Sequence, residues 1–177
     1  MAGDSIRRCG PGDEGALSLI GQATFLESFA GILPGGDILA HCEKRHSVAV
    51  YRKWLGNKDA FLWLSTVAPG RAPVGYLAMM KPDLPLASIG PKDLEIKRIY
   101  VLRRFQGRGI GRKLMQTATT RARSLGMTRL LLGVYGRNES AIEFYQKIGF
   151  TRVGERQFKL GRNTYDDLIL ALDLPRP

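Results

Sequence analysis

The stretch Leu94–Gly111, LEIKRIYVLRRFQGRGIG, decides how the rest of this 177-residue chain is read. Ile96, Ile99, Tyr100 and Val101 are β-branched or aromatic, and no Gly or Pro interrupts them, so the segment begins as a strand. Gln106–Gly111 then forms a glycine-rich loop. Beyond it Ile110, Leu114, Ala118 and Ala122 recur every fourth residue, with Met115 beside Leu114, which is the apolar face of a helix. A glycine loop opening a helix exposes backbone N–H groups at the positive end of the helix dipole and suits an anion, most often a phosphate. The flanking charge agrees. Nine basic residues and no acidic one lie between Lys97 and Arg123, and five of them (Arg103, Arg104, Arg108, Arg112, Lys113) surround the loop.

Two common phosphate motifs are excluded. A dinucleotide fingerprint would need Gly where Arg112 stands, and no acidic residue follows at the spacing of a ribose contact. No Gly-Lys-Ser/Thr follows the glycines, so this is not a nucleotide-triphosphate loop.

The loop Gln106-x-x-Gly109-x-Gly111 resembles the [Q/R]-x-x-G-x-[G/A] signature of the GNAT superfamily of acetyl-CoA-dependent N-acetyltransferases. A second block follows at the right separation. Asn138-x-x-Ala141-x-x-Phe144-Tyr145-x-Lys147-x-Gly149-Phe150 is similar to that superfamily's N-x-x-A-x-x-[FL]-Y-x-K-x-G-F segment. The resemblance implies an α/β fold: a mixed, mostly antiparallel central sheet flanked by helices, with the fourth and fifth strands splayed around the cofactor and a bulge in the fourth.

A narrower resemblance points to the bacterial spermine/spermidine acetyltransferases. Thr24-Phe25-x-x-Ser28-Phe29, Leu94-Glu95-Ile96-x-Arg98-Ile99-Tyr100, Leu132-Gly133-Val134, Phe158-Lys-Leu-Gly and Asp167-Leu-Ile carry it. One departure matters: that branch often has an acidic residue where Lys97 stands, and a polyamine would want carboxylates.

The reaction needs a base for the amine, donors for the oxyanion and an acid for the leaving thiolate. Glu95 lies eleven residues before Gln106, where the superfamily's histone acetyltransferases carry their glutamate base. It is the candidate base, acting directly or through water. The alternative is a rim carboxylate paired with Lys97 or Arg98. Tyr145 occupies the superfamily's acid position and is the candidate acid; the alternative is a core aromatic. The resemblance gives the backbone of Ile99, Tyr100 and Val101 to the pantetheine arm. It gives Gln106, Gly107, Arg108, Gly109, Ile110, Gly111 and Arg112 to the pyrophosphate, and Arg104 to the 3′-phosphate. Asn138, Ala141 and Tyr145 complete the cofactor contacts, Asn138 also serving as an N-cap. Phe25 and Phe29 either wall the acceptor or form helix–sheet core. In strand alternation Glu95, Lys97, Ile99 and Val101 share a face until any bulge resets it.

Composition sets the outer bounds. At 44% hydrophobic and 24% charged residues, this length suits one globular domain spanning 1–177. No apolar run is long enough to span a membrane, and MAGDSIRRCGPGDEG has no signal-peptide core, so the expected location is cytoplasmic. Cys9, in an expected strand, and Cys42, in an expected helix, read as reduced structural thiols. His41 and His46 lack partners at ligand spacing, so no metal is expected. The net charge of +11 suits CoA and leaves room for an acidic substrate. The expected partner is a small amine, polyamine-like or otherwise, with a protein or peptide amine as the alternative; a homodimer is common among look-alikes. Two other classes compete. A nucleic-acid module would need aromatics beside the basic stripe, where only Tyr100 and Phe105 occur. A non-catalytic acyl-CoA sensor would not need both Glu95 and Tyr145. No cysteine lies in either motif, which favours direct attack over an acyl-enzyme.

Turn residues punctuate the remaining elements. Strands are expected at Ser5–Arg8, 60–67, 74–80, 94–101 and 128–135, with a final hairpin at 150–160 and 165–172 turning at Gly161–Asn163. Helices are expected at 13–30, at 37–45 capped by Asp37, at 47–55 capped by Ser47, at 109–125 and at 138–148. Lys81–Lys92 reads as a Pro-rich connection.

Overall fold

The computed structural model describes residues 5–161 and 163–174. The elements are β1 (Ser5–Arg8), α1 (Glu14–Phe29), α2 (Gly35–Arg45), α3 (Val48–Leu55), β2 (Phe61–Val67), β3 (Ala72–Met80) and β4 (Asp93–Val101). After a 3-10 turn at Arg103–Phe105 come α4 (Ile110–Ser124), β5 (Arg129–Tyr135), α5 (Glu139–Ile148), β6 (Thr151–Leu160) and β7 (Asn163–Asp173). The strands form one seven-stranded mixed sheet, ordered β1-β2-β3-β4-β5-β7-β6.

The chain divides into two compact units, 1–79 with 98–117 and 80–97 with 118–177. In the first, β1, β2 and β3 pair antiparallel. Gly75 of β3 lets the end of β4 approach: a Cβ there would lie 2.9 Å from the Tyr100 carbonyl oxygen. Helix α1 packs against α2 and α3. The core includes Leu17, Ile20, Phe25, Tyr51, Leu64, Tyr76 and Leu77, all buried. Gly21 leaves room for the His46–Tyr51 pair, whose Nδ1 and Oη are 3.0 Å apart.

In the second unit β4 and β5 run parallel, with Asp93–Ile96 opposite Arg129–Leu132. The ladder stops there although both strands continue, which is the expected splay. A near-continuous apolar run suits the buried centre of β5. Strand β7 pairs antiparallel with β5 and with β6, whose alternation of exposed and half-buried residues suits an edge strand. Leu84, Leu131, Ile169 and Ala171 form a core cluster, with Leu86 and Ile89 packed against it. The Pro-rich connection therefore covers one face of this part of the sheet.

Most element boundaries fall within two residues of those expected. Ser47 caps α3 by accepting from Val50 N–H, as expected. Asp37 does not cap α2. That helix begins at Gly35 after Pro34, and Asp37 sits in its first turn, where a negative charge suits the helix dipole. Cys9 lies just beyond β1, its N–H donating to Leu62 O at 2.9 Å. Burial pushes its thiol up to about 12. Cys42 is buried in α2. Asn163 starts β7 rather than ending the turn, and Arg162 lies outside the described residues.

Candidate active site

In the first unit the anion loop is built from backbone. Gly107 and Gly109 have φ of +76° and +80°, a conformation that side chains with a Cβ rarely adopt. Gln106 braces the loop by donating from Nε2 to the Val101 carbonyl at 3.0 Å. Ile110 is buried and anchors the helix start. The ladder of α4 begins with Lys113 N–H donating to Gly109 O, so the amides before it are those a helix leaves for an outside acceptor. Arg104, Arg108 and Arg112 are exposed around this point, Arg108 stacking on Phe105 at 5.0 Å. Backbone donors, positive charge and open glycines together fit a pyrophosphate.

Arg98 is engaged within its own unit. It donates to Tyr51 Oη at 2.8 Å and lies over the Trp54 ring at 4.5 Å. Phe25 is buried, stacked on His41 at 4.1 Å and 4.6 Å from Phe29, which is half-buried. Burial pushes the imidazoles of His41 and His46 down, to about 4 and about 2, and the Arg98 charge adds to both shifts. Both rings are therefore neutral near pH 7. Among the described residues no group of three or more His, Cys, Asp or Glu could hold a metal ion.

In the second unit the site is built from side chains. Glu95 is 2% exposed, so it is no rim carboxylate. Its Oε2 accepts from Lys97 Nζ at 2.6 Å and from the Asp83 N–H at 2.9 Å. Lys97 donates in turn to the exposed Asp83 carboxylate. Burial pushes the Glu95 carboxyl above its ordinary range, and Lys97 and the Asp83 amide offset part of the rise. Burial pushes the Asp83 carboxyl up, but Lys97, Glu95 and the Arg156 charge together bring it below its ordinary value.

Tyr145 is buried in α5, edge-on to Phe144 at 5.3 Å and Phe150 at 5.7 Å. Asn138 caps that helix by accepting from Ala141 N–H at 3.2 Å, and Gly149 ends it at φ +108°. The local fold of the second motif thus follows from its own cap residues.

Glu95 and Lys97 stand out in the sequence; Asp83 and Arg156 do not, and Asp167 enters there only within the narrower resemblance. Arg156 Nε donates to Asp167 Oδ2 at 3.0 Å across the last hairpin. Burial pushes the Asp167 carboxyl up, with Arg156 opposing. A signal was present: Gly133 interrupts an apolar strand, and a strand glycine marks a close approach. Arg156 and Asp167 also face each other in the hairpin register.

The acetyltransferase (GNAT) family model matches residues 27–150. An uncharacterised N-acetyltransferase from the pepI 3′ region of Lactobacillus delbrueckii subsp. lactis is 30% identical over 170 residues, 96% of this chain and 97% of that protein. An uncharacterised N-acetyltransferase of Mycobacterium tuberculosis is 32% identical over 101 residues, covering 57% of this chain and 60% of its own length. Among solved structures, PaiA N-acetyltransferase from Thermoplasma acidophilum, in complex with coenzyme A, superposes with a TM-score of 0.78. The match has 18% identity and covers 97% of this chain and 99% of that one. The chain belongs to the GNAT acetyltransferase family, and its enzyme class is N-acetyltransferase. No helix among the described residues is long and apolar enough to cross a membrane.

Proposed function

We propose that this chain transfers the acetyl group of acetyl-CoA to a small primary amine by direct attack within a ternary complex. The observation that carries this reading is Glu95. It is a buried carboxylate with a raised affinity for protons, fixed by Lys97 and an amide, in a chain that also holds a glycine loop suited to pyrophosphate.

In this reading Gln106–Arg112 hold the pyrophosphate, and Arg104 meets the 3′-phosphate. The backbone of Ile99, Tyr100 and Val101 lies along the pantetheine, and Asn138 and Ala141 complete the contacts. Since the Val101 carbonyl already accepts from Gln106, its N–H is the group offered to the cofactor. Glu95 takes a proton from the ammonium, directly or through a water. The amine nitrogen then forms a bond to the acetyl carbon, the carbon–sulfur bond breaks, and Tyr145 gives its hydroxyl proton to the departing sulfur. The nitrogen sheds its second proton as it becomes the amide, and a proton returns to the Tyr145 oxygen through solvent; the products are the amide and CoA thiol, and Glu95 releases the first proton to solvent. Phe29, half-buried beside the buried Phe25, is the member of that pair left to touch an acceptor.

The resemblance to spermine/spermidine acetyltransferases makes polyamines the first acceptors to try. Lys97, locked between Glu95 and Asp83, argues against a polycation, as does the net charge of +11. Thiol release should be followed with acetyl-CoA and a panel of spermidine, amino acids, aminoglycosides and a lysine peptide. Turnover of at least one amine is expected. Acetyl-CoA binding without turnover on any amine would leave a sensor, and absence of binding would end this reading.

A further inference from the structure

The face around Glu95 carries a pattern that bears on the acceptor. Glu95 and Lys97 alternate with Ile96 and share a face of β4. Parallel register sets Glu95 opposite Leu131, which puts Gly133, two residues on, on the same face of β5. Gly133 lies opposite Ile169, so Asp167 joins that face of β7, and Arg156 is the cross-strand partner of Asp167.

From this edge position the Arg156 side chain reaches inward until its guanidinium lies over Gly133. A Cβ at 133 would come within 2.7 Å of Nη2 and 2.8 Å of Cζ. Any other residue there would displace the guanidinium. Asp167 holds it from the side, with Oδ2 3.0 Å from both Nε and Nη2. The Arg156 side chain remains 26% exposed, so it is oriented without being sealed. Its charge acts on Asp83, which itself pairs with Lys97. Gly133 is the first β5 residue past the end of the β4–β5 ladder, and Lys97 is the first of β4. Leu84, Leu86 and Ile89 cover this face at Leu131, Ile169 and Ala171, and the two cations stand beyond them, where the ladder ends, next to the candidate base. Carboxylates flank both of them, so the face alternates in sign through Asp83, Lys97, Glu95, Arg156 and Asp167.

Lys97 and Arg156 would repel a polycation at this face, and an amine without an acid would make no contact with the part of Arg156 that stays exposed beside Asp167. A molecule with an ammonium and a carboxylate a few bonds apart matches the alternation. We propose that the acceptor is a zwitterionic amine of the amino-acid type, its carboxylate held by Arg156 and Lys97 over Gly133 while its amine is presented to Glu95. Asp167 is a positioning residue that aims Arg156. This inference rests on the acetyltransferase reading above and narrows its acceptor.

The test is thiol release with acetyl-CoA, comparing each common amino acid with its own carboxamide, alongside spermidine. The best amino acid should exceed its amide in kcat/KM by at least about tenfold, since a site built to bind a charged group discriminates strongly against an analogue lacking it. Arg156→Gln should collapse that ratio toward one through a raised KM for the acid. Arg156→Lys, which keeps the charge and tests the case in which the glutamine variant fails to fold, should lower it only in part. Asp167→Asn should lower the ratio less than Arg156→Gln. Amides equal to acids, spermidine as the preferred acceptor, or an acid preference unmoved by every soluble variant would each overturn the proposal while leaving amine acetylation intact. Acetyl-CoA binding with no amine acetylated would overturn it together with the transferase reading.

Discussion

The glycine loop and the Glu95 face solve opposite problems. The loop at Gln106–Gly111 makes its site from backbone: two left-handed glycines, a brace from Gln106 and the start of α4. Its arginines are exposed. The Glu95 face is made of side chains that hold one another, buried Glu95 with half-buried Lys97 and buried Asp167 with half-buried Arg156. A backbone site depends on conformation and tolerates changes of charge around it. A side-chain site depends on its partners, because a buried carboxylate without one carries a desolvation penalty of several kcal/mol.

The sharpest way to break this contrast is to force the loop out of its conformation. Gly109→Val places a β-branched residue at φ +80°, a strain on the order of 1–3 kcal/mol before any contact is lost. Acetyl-CoA affinity measured by calorimetry should fall by about 100-fold, with the thermal midpoint lowered by about 2–4 °C for each kcal/mol of that strain. Retained affinity would mean that backbone geometry does not make the site.

A smaller effect is expected from Lys97→Met. The Lys97 ammonium opposes the rise that burial imposes on the Glu95 carboxyl, so its removal moves that carboxyl further up. A base must be ionised to act. The acid limb of the kcat/KM profile should therefore shift to higher pH, with activity near neutrality falling about tenfold and acetyl-CoA affinity staying within about twofold. An unmoved acid limb would separate Glu95 from proton transfer.

Smaller still, and in stability rather than activity, is Asp93→Asn. Asp93 sits opposite Arg129 at the start of the β4–β5 ladder, bonded to its Nε and Nη2 at 3.1 and 2.6 Å. Burial pushes the Asp93 carboxyl up, but Arg129 and the Gly90 amide more than offset it, and it ends below its ordinary value. A depressed carboxyl contributes stability that is present above the unfolded-state pKa and lost as pH falls through the folded one. The variant should lose about 1–3 kcal/mol at neutral pH by urea unfolding, a value set by a pair that is partly exposed. The gap to the unaltered protein should close in acid, where both carry a neutral side chain.

The two regions also differed in how far the sequence revealed them. The loop was legible because its determinants are local: Gln106, Gly109 and Gly111 stand within six residues, and a strand and a helix of opposite periodicity flank them. The Asn138 cap of α5 was legible for the same reason. Glu95 could be singled out by its offset from Gln106, but its partners could not. Asp83 reaches it from a connection that reads only as Pro-rich, with Leu84 and Leu86 inside the polar run. Arg156 meets Gly133 across an intervening strand, a relation that depends on strand order as well as hairpin register. Short-range chemistry shows in spacing, whereas a face assembled from four strands and a loop shows only once the sheet order is known.

The most direct measurement takes Tyr145→Phe and determines turnover and acetyl-CoA affinity on the same protein. The substitution removes one hydroxyl from a buried ring packed on Phe144 and Phe150 and leaves its shape intact. Loss of a general acid predicts turnover down by about 100-fold, with affinity within about twofold and, for a thiolate leaving unprotonated, a smaller deficit at high pH. Unchanged turnover would remove Tyr145 from the reaction and contradict the proposed route of acetyl transfer.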